Sequence, residues 1–407
     1  MLPDAFHRLK YLYSKGVLST TLKSTAQHTR RTSSTSVTFD SAEKNLIKAG
    51  HITQIAIIPT MAQYAELHKI ANLRGAGDAR PTALQVIRDE GLTGKLTDKV
   101  FLITGVSSGL GIETLRSLHT TGAQVIGTVR NVPKGQVVVD KILAEKHDGG
   151  GKIDLVEMEL DSFDSIRKAA KEILTKTGGK LNVVIGNAGV MATPYGKTKD
   201  GYETQFGTNH LGHFLLFHLL KDALLSSATP EYPSRYVSLS SMAHIWSTVH
   251  LSDYNYEKTP YEPWNAYGQA KTANIWFANS IERHYSSRHL HATSVHPGGI
   301  IEGSGLGVHV SEETKQAMFG DPEILRTFKS AEQGAATQVY AAVSREWKDK
   351  GGRYLASLAE MGTREEEARK EGMYESANEG YAPWAYDEEG EERLWKESFG
   401  MVGRPRE

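Results

Sequence analysis

The chain has no cysteine in its 407 residues, which excludes disulfides, thiolate metal sites and cysteine nucleophiles together. Long apolar runs are missing as well. A membrane-spanning helix needs roughly 18 apolar residues, whereas the longest candidates here, such as Ile55–Ile58 and Val183–Ile185, are the size of strands. Neither sign of charge is in excess. The 47 Lys and Arg against 48 Asp and Glu leave a formal net charge of -1, which gives no electrostatic reason to expect nucleic acid or an anionic membrane as partner. There is no HExxH metal motif, and no G-x-S-x-G nucleophile elbow at the fifth predicted strand, so the chemistry is expected to run without a metal. One absence is local. No acid stands between Asp4 and Asp40, while Arg8, Lys10, Lys15, Lys23, Arg30 and Arg31 are basic and Ser and Thr abound. Such a segment reads either as a targeting peptide, for instance to the mitochondrion, or as a basic tail on a cytoplasmic protein. The cytoplasm is the primary expectation, and no apolar centre follows that would make the segment a secretory signal.

What is present is alternation. Val100–Ile103 is a short apolar run ending in a glycine-rich turn, after which Leu110, Ile112, Leu115 and Leu118 recur at near-helical spacing until Gly122. Further strands are predicted at Gln124–Val129, along Val156, Met158 and Leu160, and at Leu181–Ile185, Arg235–Leu239, Leu290–Val295 and Gly352–Leu355. Helices are predicted over Ser162–Lys176, Tyr202–Leu225, Ala266–His284 and Ala331–Trp347. Regular alternation of this kind predicts an α/β fold, a doubly wound parallel Rossmann sheet in a single main domain with an N-terminal extension. The extension carries predicted helices at Met61–Leu73 and Thr82–Glu90. Toward the other end, Arg364–Lys370 reads as a solvated charged stretch and Glu388–Met401 as a closing amphipathic helix.

Two patterns carry chemistry. Thr104-Gly-Val-Ser-Ser-Gly-Leu-Gly111 follows the first strand and opens a helix. Gly105, Gly109 and Gly111 remove side chains where backbone must approach a pyrophosphate, and the helix start with its free N–H groups faces the negative charge; Ser107, Ser108 and Leu110 complete the cradle. The second strand ends Thr128-Val129-Arg130, with Lys134 shortly after and no acid nearby. An acid there would hydrogen-bond the ribose hydroxyls and repel a 2′-phosphate, whereas the forked cation of Arg130 suits one, so NADP(H) is the expected cofactor.

The second pattern is Tyr267-Gly-Gln-Ala-Lys271 inside a predicted helix, where i,i+4 spacing puts phenol and ammonium on one face. A tyrosine with a pKa near 10 is a poor acid or base at neutral pH. The lysine cation, with the positive ring of an oxidised nicotinamide, is expected to lower that value, so that the phenol donates to a carbonyl oxygen or accepts from a hydroxyl. Val237-Ser-Leu-Ser-Ser241 ends the fifth strand with a hydroxyl at the crevice where α/β sheets bind ligands; Ser241 and its neighbour Ser240 are both candidates. Asn209 lies inside a predicted helix, where asparagine is locally unfavourable.

The TGxxxGxG turn, the serine, the YxxxK pair and their order resemble the short-chain dehydrogenase/reductase family over about Lys99 to Leu355. The resemblance implies that Ser241 orients the reacting oxygen and that Asn209 holds a water in the proton relay. It puts Asp161 at the adenine, although Asp161 with Ser162 reads equally well as a helix cap. Asn187, Ala188 and Gly189 match an element beside the cofactor, with Gly186 where the family usually has asparagine, a departure expected to loosen packing. Pro297, Gly298 and Ile300 match the turn at the nicotinamide carboxamide. Glu302 stands about where a phosphate-binding threonine is usual. His296 reads as a packed histidine at the end of its strand. Within the family, Arg130, Ser240-Ser-Met-Ala-His244 and Gly380-Tyr-Ala-Pro-Trp-Ala-Tyr386 resemble the retinol-dehydrogenase and WW-domain-oxidoreductase branch. Pro263-Trp264-Asn-Ala-Tyr267 and Arg80-Pro-Thr-Ala-Leu84 resemble its fungal members, which often serve secondary metabolism.

The organisation expected from all this is a basic tail over 1–40, a helical extension over 41–96, an NADP-binding catalytic domain over 97–360 and a tail with a helix over 361–407. A lid over about 303–329 is apolar at Leu306, Val308, Val310, Met318, Phe319 and Leu325, which points to a hydrophobic aldehyde, ketone or alcohol as substrate. A homo-oligomer is compatible with this reading. The competing reading is a non-catalytic nucleotide-binding scaffold or redox sensor on the same fold, which predicts a broken Tyr–Lys pair.

Overall fold

Strand β1 (Val100–Thr104) is buried along its whole length and its residues divide by parity: Val100 and Leu102 join one hydrophobic cluster, Phe101 and Ile103 another. A strand with apolar neighbours on both faces belongs in the middle of a covered sheet. The computed structural model describes residues 61–145, 147–300, 305–369 and 380–404. The basic tail, residues 41–60 of the extension, Glu302, the start of the lid and residues 370–379 lie outside them.

The remaining strands are β2 (Gln124–Val129), β3 (Ile153–Glu157), β4 (Val183–Gly186), β5 (Ser234–Leu239), β6 (Leu290–His296), β7 (Arg353–Ala356) and β8 (Ala359–Glu360). They form one sheet in the order β3-β2-β1-β4-β5-β6-β7-β8, parallel throughout except for β8, which turns back on β7. The order reverses between β1 and β4, and the chain leaves these two strands in opposite directions. That opens a crevice at their carboxyl ends.

The α-helices of four residues or more among the described residues are, in chain order, α1 (Met61–Leu67), α2 (Ala83–Asp89), α3 (Leu110–His119), α4 (Val132–Ala144), α5 (Phe163–Thr177), α6 (Gly212–Ser227), α7 (Pro263–Tyr285), α8 (Glu312–Phe319), α9 (Pro322–Leu325), α10 (Ala331–Gly334), α11 (Ala336–Val343), α12 (Arg364–Ala368) and α13 (Glu388–Met401). Helices α2, α3, α4 and α11 cover one face of the sheet, on Phe101, Ile103, Val125, Val237 and Val295. Helices α5, α6, α7 and α13 cover the other, on Val100, Leu102, Ile126, Tyr236 and Leu290. Trp395 and Phe399 of α13 pack on Phe214 of α6, and Trp395 also meets Phe277 of α7, with ring centroids 5.1–6.0 Å apart. No helix among the described residues is long and apolar enough to cross a membrane.

Three expectations need correction. The third strand spans Ile153–Glu157, and the alternation through Met158 and Leu160 runs past its end. Both residues stay buried and line the crevice. Helix α4, which no expectation covers, carries Val137 and Leu143 half exposed, with Pro133 in its first turn and Asn131 as its cap. The helix expected over Ala331–Trp347 breaks at Ala335 and ends at Val343. The stretch from Arg364 is not simply solvated: it forms α12, whose Glu367 is buried and accepts from the Gly362 N–H.

Candidate active site

At the end of β1 the chain turns through Gly105–Gly109 into α3. Gly105 has φ +75°, and a Cβ on it would stand 2.7 Å from the Ala188 Cβ; one on Gly111 would stand 2.0 Å from the Gly105 carbonyl oxygen. Both positions therefore demand glycine. Helix α3 starts at Gly109 with no side-chain cap, whereas Asn131 and Ser162 cap α4 and α5. Its first-turn N–H groups are left for an anion. Here a cavity of about 950 Å³ opens across the strand ends, with Gly105, Ser107, Ser108 and Leu110 in its wall. Gly109 and Gly111 shape the turn from behind the lining.

Arg130 is exposed at the end of β2, lines the same cavity, and makes no hydrogen bond or ion pair within the described residues. Asp161 is also in the wall, and the two readings of this stretch separate: Ser162 caps α5 by accepting from the Ser165 N–H at 3.3 Å. A free cation, an uncapped helix start and a glycine cradle together fit the phosphates of a nicotinamide dinucleotide.

Asn187, Ala188 and Gly189 follow β4 on the cavity wall. Asn187 Nδ2 donates to the Thr104 carbonyl at 2.8 Å, and the Ala188 N–H donates to Thr104 Oγ1 at 2.9 Å. Thr104 Oγ1 lies 2.9 Å from His213 Nε2, and His213 Nδ1 lies 2.9 Å from the Asn209 carbonyl. A carbonyl only accepts, so Nδ1 carries the proton. Burial pulls the ring down to about 4, hence Nε2 is bare and accepts from the threonine hydroxyl. This network fixes β1 against β4, with His213 as the member that had no sequence signal. Packing at Gly186 is not loosened: a Cβ there would stand 2.9 Å from the Tyr236 hydroxyl and 3.3 Å from the His213 ring, which fill the space.

Tyr267 and Lys271 lie on the buried side of α7 and both line the cavity, with Lys271 Nζ 5.5 Å from the phenol ring centre. Lys271 Nζ donates to the Leu239 carbonyl at 2.9 Å, which uses one of its three donors. Among the protein's own groups, burial outweighs the lowering expected from the lysine. Burial pushes Tyr267 up to about 12, with the Ser241 hydroxyl pulling the other way, and burial pulls Lys271 down to about 8. The phenol is therefore a proton donor in waiting and the ammonium is still charged at neutral pH. The two serines also separate. Ser240 Oγ donates to the Lys271 carbonyl at 2.8 Å, which ties β5 to α7, and Ser241 is the one beside the phenol.

Asn209 is not in the cavity wall. It sits in a π-helical turn, Gly207–Leu211, that leads into α6, and its carboxamide closes on the Val190 backbone. Val190 in turn lines the cavity. Pro297, Gly298 and Ile300 lie on the wall beyond β6. His296 Nδ1 accepts from the Met242 and Gly298 N–H groups at 3.3 and 3.4 Å, and burial pulls the ring down to about 3. It is the packed histidine expected.

The segment from Gly305, where a lid is expected, comprises a short 3-10 turn (Gly307–His309), α8 and α9, and contributes Leu306, Val308, Val310 and Phe328 to the wall. Trp246 and Trp264, edge to face at 5.5 Å, line the opposite side. Trp264 stands in the motif shared with the fungal members, and Trp246 had no sequence signal beyond being aromatic. The extension reaches the lid as well. Arg80, buried in an ion pair with Asp78, donates to the Thr327 and Phe328 carbonyls at 2.7 and 2.6 Å. Among the described residues no cluster of three or more His, Asp or Glu could hold a metal.

The short chain dehydrogenase family profile matches residues 99–305. The short-chain dehydrogenase/reductase prx1 of Penicillium roqueforti is 46% identical over 329 residues, which cover 81% of this chain and 92% of that one. Human retinol dehydrogenase 13 is 33% identical over 305 residues, covering 75% and 85%. Among solved structures, an uncharacterised protein from Mycobacterium paratuberculosis superposes with a TM-score of 0.55 at 29% identity, covering 75% of this chain and 94% of that one. The chain belongs to the short-chain dehydrogenase/reductase family, in the branch that includes the retinol dehydrogenases, and is an NAD(P)-dependent oxidoreductase.

Proposed function

We propose that this enzyme uses NADP(H) to interconvert a carbonyl and an alcohol on a small hydrophobic molecule. In this reading Tyr267 is the general acid and base, assisted by Lys271 and Ser241, with Asn209 as a positioning residue. The observation that carries it is the meeting of phenol, ammonium and serine hydroxyl in one cavity wall with the glycine turn. A scaffold or sensor would have no use for that pair.

What a nicotinamide dinucleotide supplies when bound is a hydride equivalent. The residues that would hold it are Gly105, Ser107, Ser108, Leu110 and Arg130 at the phosphates, Asp161 at the adenine, and Asn187, Ala188, Gly189, Pro297, Gly298 and Ile300 toward the nicotinamide. In the reductive direction Ser241 and Tyr267 hydrogen-bond the substrate carbonyl oxygen. Tyr267 breaks its O–H bond toward that oxygen, and the Lys271 charge stabilises the phenolate left behind. In the oxidative direction the phenolate accepts the proton of the substrate hydroxyl. The apolar lid and the two tryptophans exclude water and favour a hydrophobic carbonyl.

Replacing Tyr267 by Phe tests this. NADPH oxidation with an apolar aldehyde or ketone should fall at least about a hundredfold, while NADPH binding followed by fluorescence stays within a few-fold. Turnover equal to wild type would remove Tyr267 from the chemistry.

A further inference from the structure

We infer that His244 and His296 are positioning residues that together clamp the peptide plane following Ser241 and so aim its hydroxyl at the reacting oxygen. This rests on the function proposed above. The plane consists of the Ser241 carbonyl and the Met242 N–H. His244 Nδ1 stands 2.7 Å from that carbonyl oxygen, and the N–H donates to His296 Nδ1 at 3.3 Å. One peptide unit is thus gripped at both polar ends by two different rings.

Partner chemistry fixes both tautomers. A carbonyl only accepts, so His244 Nδ1 bears a hydrogen; its Nε2 accepts from the Ala382 N–H at 3.1 Å and must be bare. His296 Nδ1 accepts from the Met242 N–H and again from the Gly298 N–H, so it is bare. The two rings have opposite tautomers, and each does at Nδ1 what the other cannot. Both are buried, His244 completely. An apolar side chain would fill such positions without the desolvation cost of imidazole, so the polar rings are there for their bonds.

The clamp also joins distant parts of the chain. Through Nε2 and its own carbonyl, which accepts from Trp384 Nε1 at 2.9 Å, His244 holds the segment Ala382–Trp384. That segment is pinned in turn by α7, with Trp276 Nε1 donating to the Trp384 carbonyl at 2.8 Å and Asn279 Nδ2 to the Ala385 carbonyl at 3.2 Å. Through Gly298, His296 holds the Pro297–Gly298 turn on the cavity wall. Ser241 is therefore set by two segments remote in sequence, neither of which touches its hydroxyl.

A double-mutant cycle tests this with NADPH oxidation on phenanthrenequinone, an activated apolar diketone. If His244 acts through Ser241, His244→Ala should lower kcat by about tenfold to a hundredfold, and adding it to Ser241→Ala should cost less than threefold more. Multiplying effects in the double variant would overturn the proposal, because a merely structural loss does not depend on the serine. Where the alanine variant does not fold, His244→Asn and His244→Gln decide the matter. Asparagine keeps a donor near the Nδ1 position and glutamine keeps an acceptor near Nε2, so asparagine should retain the higher kcat, and a glutamine variant equal to or better than it sinks the clamp. A Tyr267→Phe variant with full turnover would instead sink the functional reading itself, which keeps the two failures apart.

Discussion

Asn209 holds Val190 by both ends of its carboxamide: Oδ1 accepts from the Val190 N–H at 2.8 Å, and Nδ2 donates to the Val190 carbonyl at 2.9 Å. Asn209 is completely buried and Val190 is on the cavity wall, so a pairing that resembles a two-residue strand ladder fixes one side of the active site. Asn209→Ala leaves both backbone groups without their partner, a loss of about 1 to 3 kcal/mol. Urea unfolding should report a destabilisation of that order, and kcat should fall more than NADPH affinity. An unfolding curve superimposable on wild type would show that the pairing carries no weight.

Arg130 decides the cofactor if it meets a 2′-phosphate. Arg130→Asp replaces a free cation with a carboxylate that repels that phosphate and can hydrogen-bond ribose hydroxyls. The ratio of kcat/KM for NADPH to that for NADH should drop by at least about tenfold, roughly the loss of one charge-assisted hydrogen bond. A ratio that does not move would remove Arg130 from cofactor selection.

Buried neutral histidines set the acid limit of the fold. Burial pulls His210 and His296 to about 3 and His213 and His244 to about 4. The unfolded chain binds their protons near pH 6.5, so as pH falls below that value it gains protons the fold refuses, and stability declines until the folded values are reached. At pH 5 each group would cost about 2 kcal/mol, and four together approach the whole margin of a typical domain, roughly 5 to 15 kcal/mol. Thermal melts should show a steep loss between pH 6.5 and 5, shallower in His210→Gln. A midpoint that stays flat across that window would contradict the neutral, buried assignment.

Arg80 ties the extension to the lid. Arg80→Ala strands the buried Asp78 carboxylate and frees the Thr327 and Phe328 carbonyls, and breaking a buried pair in this way costs about 3 to 5 kcal/mol. Because Phe328 faces the cavity, the KM for an apolar carbonyl should rise while NADPH affinity holds. Equal rises in both would point to general loosening instead.

The parallel sheet was legible because both-face burial produces short continuous apolar runs, and β1, β2, β5 and β6 fall within a residue or two of where those runs stand. Strand β8 was not, because it is two residues long and is reached through Ser357 and Leu358, both with positive φ and neither a residue type that signals such a turn. At the site, the glycine turn, Arg130, Ser241, Tyr267 and Lys271 could be read because strand order brings consecutive strand ends together. The parts played by the side chains of Thr104, His213 and His244 could not. Their weight lies in hydrogen bonds between residues far apart in sequence, and a lone threonine or histidine in an apolar stretch carries no spacing that announces a partner.

Helix α13 has a consequence for assembly. Its Trp395 and Phe399 occupy the aromatic surface formed by Phe214 and Phe277, so the outer side of α6 and α7 is already sealed by the same polypeptide. A second copy could reach that surface only after prying the helix off.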